Sequence, residues 1–236
     1  MASLASLTPR ERLIVALDVS SAGEARKIVA SVGNSAATFK VGKQLFTAEG
    51  PALVRDLAAS RKVFLDLKFH DIPNTVAWAV SEAAKLGVSM LTVHASGGTK
   101  MLKAASEAAL QAPSGPLVLA VTILTSLNEG DLQELGITDG IKAHVLRLAG
   151  LALQGGCGGI VASAQEASHL RQTLGTGFAI VTPGVRPAGT DAGDQARVVT
   201  PKAAIQAGAT HIVVGRPITA ATDPAAAAAA ILDELA

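Results

Sequence analysis

VFLDLKFHDIPNT, residues 63–75, reads as a strand that ends in charge and hands over to a helix. Leu65, Leu67 and Phe69 alternate with Phe64, Asp66 and Lys68, so a strand sends one apolar set to one side and the Asp66 and Lys68 pair to the other. Pro73 cannot continue a ladder, and the residue before it is held extended, so HDIPN ends the strand. Asp71 falls at that break. The result is Asp-x-Lys-x-x-Asp at a strand exit, where ionised groups lose hydration and need compensating neighbours. Flanking carboxylates could hold the ammonium of Lys68, which makes the stretch a candidate active site. Taken alone, Asp-x-Lys also describes an ordinary ion pair at a strand end, so the remaining chain has to decide.

The strand-then-helix unit recurs along the chain. Short β-type runs lie at 13–17, 37–41, 63–68, 90–94, 117–122, 158–162, 179–182 and 211–215. Segments rich in Ala, Leu, Glu and Lys fall between them at 22–31, 48–60, 75–86, 99–111, 140–153, 164–173 and, more briefly, 202–207. A last helix starts with Asp223 as its cap and Pro224 at its first position, and its alanine run is a strong helix former. Eight strands alternating with eight helices predict a parallel sheet. The count favours closure into an α/β (β/α)8 TIM barrel, one catalytic domain over 1–236, rather than an open doubly wound sheet.

Composition narrows the function classes. The chain has 236 residues, 49% hydrophobic and 17% charged, enough for a large core and unlike a disordered chain. A net charge of +1 supplies no broad basic field for nucleic acid or an anionic membrane, so an anionic ligand must be held by a local group of cations. Cys157 is the single cysteine, which excludes an intramolecular disulfide and a thiolate metal cluster. MASLASLTPRER lacks a basic region followed by a long apolar run, and no stretch offers about 18 apolar residues for a span. The expectation is a cytoplasmic protein with a small-molecule site.

In such barrels chemistry gathers where the strands end, so charged residues there should converge. Asp18 follows the first strand, Lys40 lies on the second, Asp66 and Lys68 on the third; Thr125 follows the fifth, Arg186 the seventh, and Gly215 with Arg216 the eighth. The loops after strands seven and eight commonly hold phosphate, and the Arg216 guanidinium offers a fork of donors for it. The polar segment 183–201 has no apolar periodicity and is longer than the roughly 12–15 residues usual for a plain connection, so it is expected to act as a lid carrying Arg186 and Gln195. GGCGG, 155–159, precedes a strand instead of joining strand to helix, so it reads as close packing or a turn. His94 reads as a hydrogen-bonded structural residue and Trp78 as packing or interface. The histidines lack metal-ligand spacing, and no metal is expected.

Together, ALDV from Ala16, FLDLKFHDIPNTV, PGVRP followed by DQARVVTP, and GRPIT from Gly215 resemble the orotidine 5′-phosphate decarboxylase family in its free-standing bacterial form, over nearly the whole chain. The resemblance implies decarboxylation of orotidine 5′-monophosphate to UMP and CO2 in pyrimidine biosynthesis, without metal or cofactor. It implies that Lys68 gives its proton to C6 of the pyrimidine, that Asp66 lies beside the departing carboxylate, and that Lys40 and Asp71 complete an alternating array. Asp71, Ile72 and Thr75 would come from the other subunit of a homodimer. Asp18 and Lys40 would hold the ribose hydroxyls, Thr125 the pyrimidine edge, and Arg186, Gln195, Gly215 and Arg216 the phosphate.

The chemistry explains the array. Loss of CO2 leaves an electron pair on C6 that the ring delocalises poorly, so a fixed ammonium stabilises charge that develops only in the transition state. Two alternatives stand beside this reading. One is a Mg2+-dependent sugar-phosphate decarboxylase of similar barrel and signature, which carries a metal-binding Glu where this chain has Lys40. The other is a catalytically silent phosphosugar-binding barrel.

Overall fold

Strand β3 (Lys62–Phe69) and its neighbours set the architecture, and the computed structural model describes residues 6–187 and 199–235. β1 (Leu13–Ala16), β2 (Thr38–Gly42), β3, β4 (Met90–His94), β5 (Leu117–Val121), β6 (Gly159–Val161), β7 (Ala179–Thr182) and β8 (His211–Val214) pair in chain order, all parallel. β8 returns to β1 through Leu13↔Ile212, Ile14↔Val213 and Val15↔Val214, so the sheet closes into the expected (β/α)8 barrel. Most strands are buried along their length, as expected of a sheet covered on both faces.

Alternation sorts each strand into two cores. Ile14, Ala16, Phe64, Met90, Leu119, Ala179, Val181 and Val213 fill the barrel interior. The other set packs outward against the helices. These include α2 (Ala22–Val32), α3 (Lys43–Ala58), α4 (Pro73–Lys85), α5 (Gly98–Gln111), α7 (Gly140–Gln154), α8 (Ala164–Leu174), α9 (Pro201–Gln206) and α11 (Pro224–Leu235). Short helices α1 (Pro9–Arg12), α6 (Glu129–Glu134) and α10 (Arg216–Thr219) add to the expected eight. α6 is fixed by a capping box in which Asn128 accepts from Gly130 and Asp131 while Asp131 accepts from the Asn128 N–H.

Two details depart from the sequence pattern. α3 begins at Lys43, five residues ahead of the expected start, and is broken inside by Gly50 at φ 68° before Pro51. The apolar run from 51 onward marks only its second half. GGCGG is a close-packing device, as read. A Cβ on Gly159 would lie 2.5 Å from the Ala179 carbonyl oxygen and 2.7 Å from its Cβ, and Gly156 adopts φ 81°. Cys157 within it is buried 3.6 Å from Ser106 Oγ, and burial pushes its thiol up to about 11. Among the described residues, no helix is long and apolar enough to cross a membrane.

Candidate active site

The C-terminal ends of β1, β2 and β3 bring four of the expected residues into one row. Lys40 Nζ donates to Asp18 Oδ1 at 2.8 Å and lies 3.7 Å from Asp66 Oδ2; Lys68 Nζ donates to Asp66 Oδ1 at 2.8 Å. Carboxylate and ammonium therefore alternate from the mouth inward. Asp18 is the open end, its side chain 57% exposed, whereas Lys40 and Asp66 are 10% and 14% exposed. Burial pushes the Asp66 carboxyl up, but Lys68 and Lys40, with hydrogen bonds from Lys68 and Thr92, outweigh it and hold the group below the usual carboxylate range.

Backbone geometry at β3 is unusual where the charges sit. Leu65 pairs with Leu91 and Phe69 with Val93, so four steps along β3 match two along β4. Within this bulge Lys68 takes φ 55°, the one described non-glycine residue at positive φ. Such a conformation costs a side-chain-bearing residue about 1–2 kcal/mol. Thr92, fully buried on β4, bridges the distortion: its hydroxyl accepts from the Lys68 N–H at 2.9 Å and donates to Asp66 Oδ1 at 2.9 Å.

The row borders a cavity of about 240 Å3, lined by Lys40, Asp66 and Lys68 on one side and by Thr125, Val161 and Pro183 among others opposite. A larger open depression of about 670 Å3 lies at the other end of the barrel, beside Arg10, Arg61 and Lys62, but it gathers no such row. Gly215 abuts the site, since a Cβ there would stand 3.8 Å from Asp18 Oδ2. Arg216 opens α10, exposed, and Arg186 is buried at the root of the 183–201 segment. There Arg186 N–H donates to the Val199 carbonyl, and a Val185–Val199 bridge ties the two ends. Gln195 lies outside the described residues.

Asp71, Ile72 and Thr75 are not brought to this row within the chain. Asp71 is exposed, its carboxylate accepting the Ile72 N–H at 2.6 Å, and Ile72 is 67% exposed. Trp78, also 67% exposed on α4, does not pack into its own chain. Among the described residues His94 meets the His70 ring at 5.5 Å rather than a hydrogen-bond partner, and burial, His70 and Lys68 hold its imidazole below the ordinary value.

Two site residues escaped the sequence. Thr92 was legible only as an inward position on the neighbouring strand. Gly42 leaves room for the ion pair, for a Cβ there would stand 3.1 Å from both Asp18 Oδ1 and Lys40 Nζ.

The closed (β/α)8 barrel carries this lysine and aspartate row at its mouth, and the relatives it matches are carboxy-lyases. Residues 11–231 match the Orotidine 5′-phosphate decarboxylase / HUMPS family, and the chain belongs to it. It is 53% identical over 240 residues to orotidine 5′-phosphate decarboxylase of Sodalis glossinidius (strain morsitans), covering 100% of this chain and 95% of that one. Identity is 54% over 226 residues to the enzyme of the same name from Halorhodospira halophila (strain DSM 244 / SL1), covering 95% and 96%. The crystal structure of orotidine 5′-phosphate decarboxylase from Lactobacillus acidophilus superposes with a TM-score of 0.85 at 40% identity, covering 95% of this chain and 98% of that one.

Proposed function

We propose that this protein is a cytoplasmic homodimer that converts orotidine 5′-monophosphate to UMP and CO2 in pyrimidine biosynthesis, without a metal or organic cofactor. The observation that carries the reading is the ordered row Asp18, Lys40, Asp66, Lys68 beside a cavity at the barrel mouth. Lys68 supplies the fixed positive charge that a developing C6 carbanion requires, then hands over the proton that completes UMP. Asp66, flanked by both lysines, stays ionised and orients Lys68. Asp18 and Lys40 take the ribose hydroxyls, and Thr125 the pyrimidine edge. Arg186, Gln195, Gly215 and Arg216 hold the phosphate, whose remote binding energy orders the charges at the reacting end.

Asp71, Ile72 and Thr75 serve the site of a second copy. Exposed Ile72 and Trp78 on the same stretch as exposed Asp71 support this, because large apolar side chains beside a charge are suited to an interface. Lys40 speaks against the Mg2+-dependent alternative, since an ammonium occupies the place where a metal-binding carboxylate would be needed.

The test is ultraviolet absorbance as purified protein consumes orotidine 5′-monophosphate in excess chelator. Turnover is expected, and Lys68→Ala should abolish it while circular dichroism stays unchanged. A rate that appears only with Mg2+ would overturn the reading in favour of the sugar-phosphate decarboxylase.

A further inference from the structure

The bulge in β3 creates a problem that one side chain on β4 solves. Between the pairs Leu65↔Leu91 and Phe69↔Val93 the regular ladder is interrupted, so the Lys68 N–H loses its place in it. Buried N–H groups without an acceptor are strongly disfavoured, and a residue at φ 55° needs its surroundings to hold it there. Thr92 supplies the acceptor. Its side chain has no exposed surface, so it does not touch a ligand in the cavity.

The same oxygen donates to Asp66 Oδ1, the atom that also receives Lys68 Nζ. A hydroxyl offers one proton and two lone pairs, and Thr92 uses the proton on the carboxylate and a lone pair on the backbone. The terminal torsion of an aspartate is broad, so the carboxylate plane is set by what it bonds to. Lys68 alone, on four flexible methylenes, fixes it poorly. A rigid β-branched hydroxyl on a neighbouring strand fixes it well.

We infer that Thr92 is a positioning residue for the decarboxylation: one buried hydroxyl locks the Lys68 backbone in its left-handed turn and turns the Asp66 carboxylate so that Oδ1 faces Lys68 and Oδ2 faces Lys40. The inference rests on the decarboxylase reading above, and it adds to that reading a residue which acts only through the two charged groups. Removing the hydroxyl misplaces the acid and its guide together, and displacements of an ångström at a reacting centre cost roughly a hundredfold in rate.

The experiment compares Thr92→Val, Thr92→Ala and Thr92→Ser with wild type on orotidine 5′-monophosphate. T92V keeps the shape, T92A is a second hydroxyl-free protein should valine distort the strand, and T92S restores the hydroxyl. T92V and T92A are expected to lose kcat by roughly ten- to a hundredfold with KM within about threefold, and T92S to stay within about threefold of wild type. Rates within twofold of wild type in both hydroxyl-free proteins, or no recovery in T92S, would overturn the assignment. Wild type is assayed first, and its failure to turn over would sink the decarboxylase reading rather than this one. The Thr92 contact is then read from the Asp66 carboxyl by carbon-13 NMR titration. Loss of a donor should raise its titration midpoint in T92V and not in T92S, and an unmoved midpoint in T92V refutes the contact.

Discussion

Lowering the pH should destabilise this barrel through His211 in particular. The residue opens β8, 4% exposed, with Nδ1 2.9 Å from Thr210 Oγ1. Burial, followed by the charges of Arg12 and Lys62, pulls its imidazole from 6.5 down to about 4. Above pH 6.5 the imidazole is neutral in folded and unfolded chains alike, and the folded state keeps its full stability. Between 6.5 and 4 the unfolded chain takes up a proton that the folded chain refuses, and stability drains away by about 1.4 kcal/mol per pH unit. Below 4 both states are protonated and the loss stops. Over the whole window the loss is about 3 kcal/mol, a large part of a typical folding free energy. His211→Asn keeps a polar atom near the Nδ1 position without the titration. Urea unfolding followed by circular dichroism, at fixed protein concentration from pH 7.5 to 4, isolates the effect because every other ionisable group is common to both proteins. Whatever the substitution costs at pH 7.5, the wild-type advantage should shrink by about 3 kcal/mol by pH 4. A difference that stays constant within about 0.5 kcal/mol refutes the reasoning.

If the proposed homodimer shares its sites, mixing inactive Lys68→Ala and Asp71→Ala proteins under subunit exchange should restore about a quarter of the wild-type rate, because half of the dimers would be hybrids with one intact site each. No recovery despite exchange proven by mass spectrometry counts against Asp71 acting across an interface. Gly159→Ala places a Cβ 2.5 Å from a backbone oxygen and 2.9 Å from Leu119 Cδ2 inside the barrel. Such overpacking costs about 1–3 kcal/mol. At about 2–4 °C per kcal/mol the melting temperature should fall by several degrees, and an unchanged melt would show that β6 and β7 can spread.

The barrel was legible because its eight strands are short, apolar and bounded by turn residues, as LIVA at 13–16 and HIVV at 211–214 illustrate. Asp18, Lys40, Asp66 and Lys68 were legible because each is a charged residue in the C-terminal part of an apolar strand or just after it, and parallel closure makes such positions neighbours. What stayed hidden depends on how two strands pair. No propensity at 66–68 announces that β3 gains two residues against β4, that Lys68 goes left-handed, or that Thr92 completes the arrangement. The early start of α3 was hidden for a related reason, since Gly50–Pro51 splits one helix into two halves and only the second carries the apolar repeat. Asp71 belongs to a different category. Its placement at a loop was readable, but among the described residues of one chain only the Ile72 N–H is its partner.

The sequestered thiol of Cys157 should leave the native protein unreactive toward maleimides and iodoacetamide near neutrality, since thiolate is the reactive form and burial suppresses it. The molecule should thus serve as a quiet background for single-site chemistry with Cys157 left in place. A spin label on Trp78→Cys, carried by exposed α4, would test whether two copies pair in solution, since each chain of a dimer would contribute one probe.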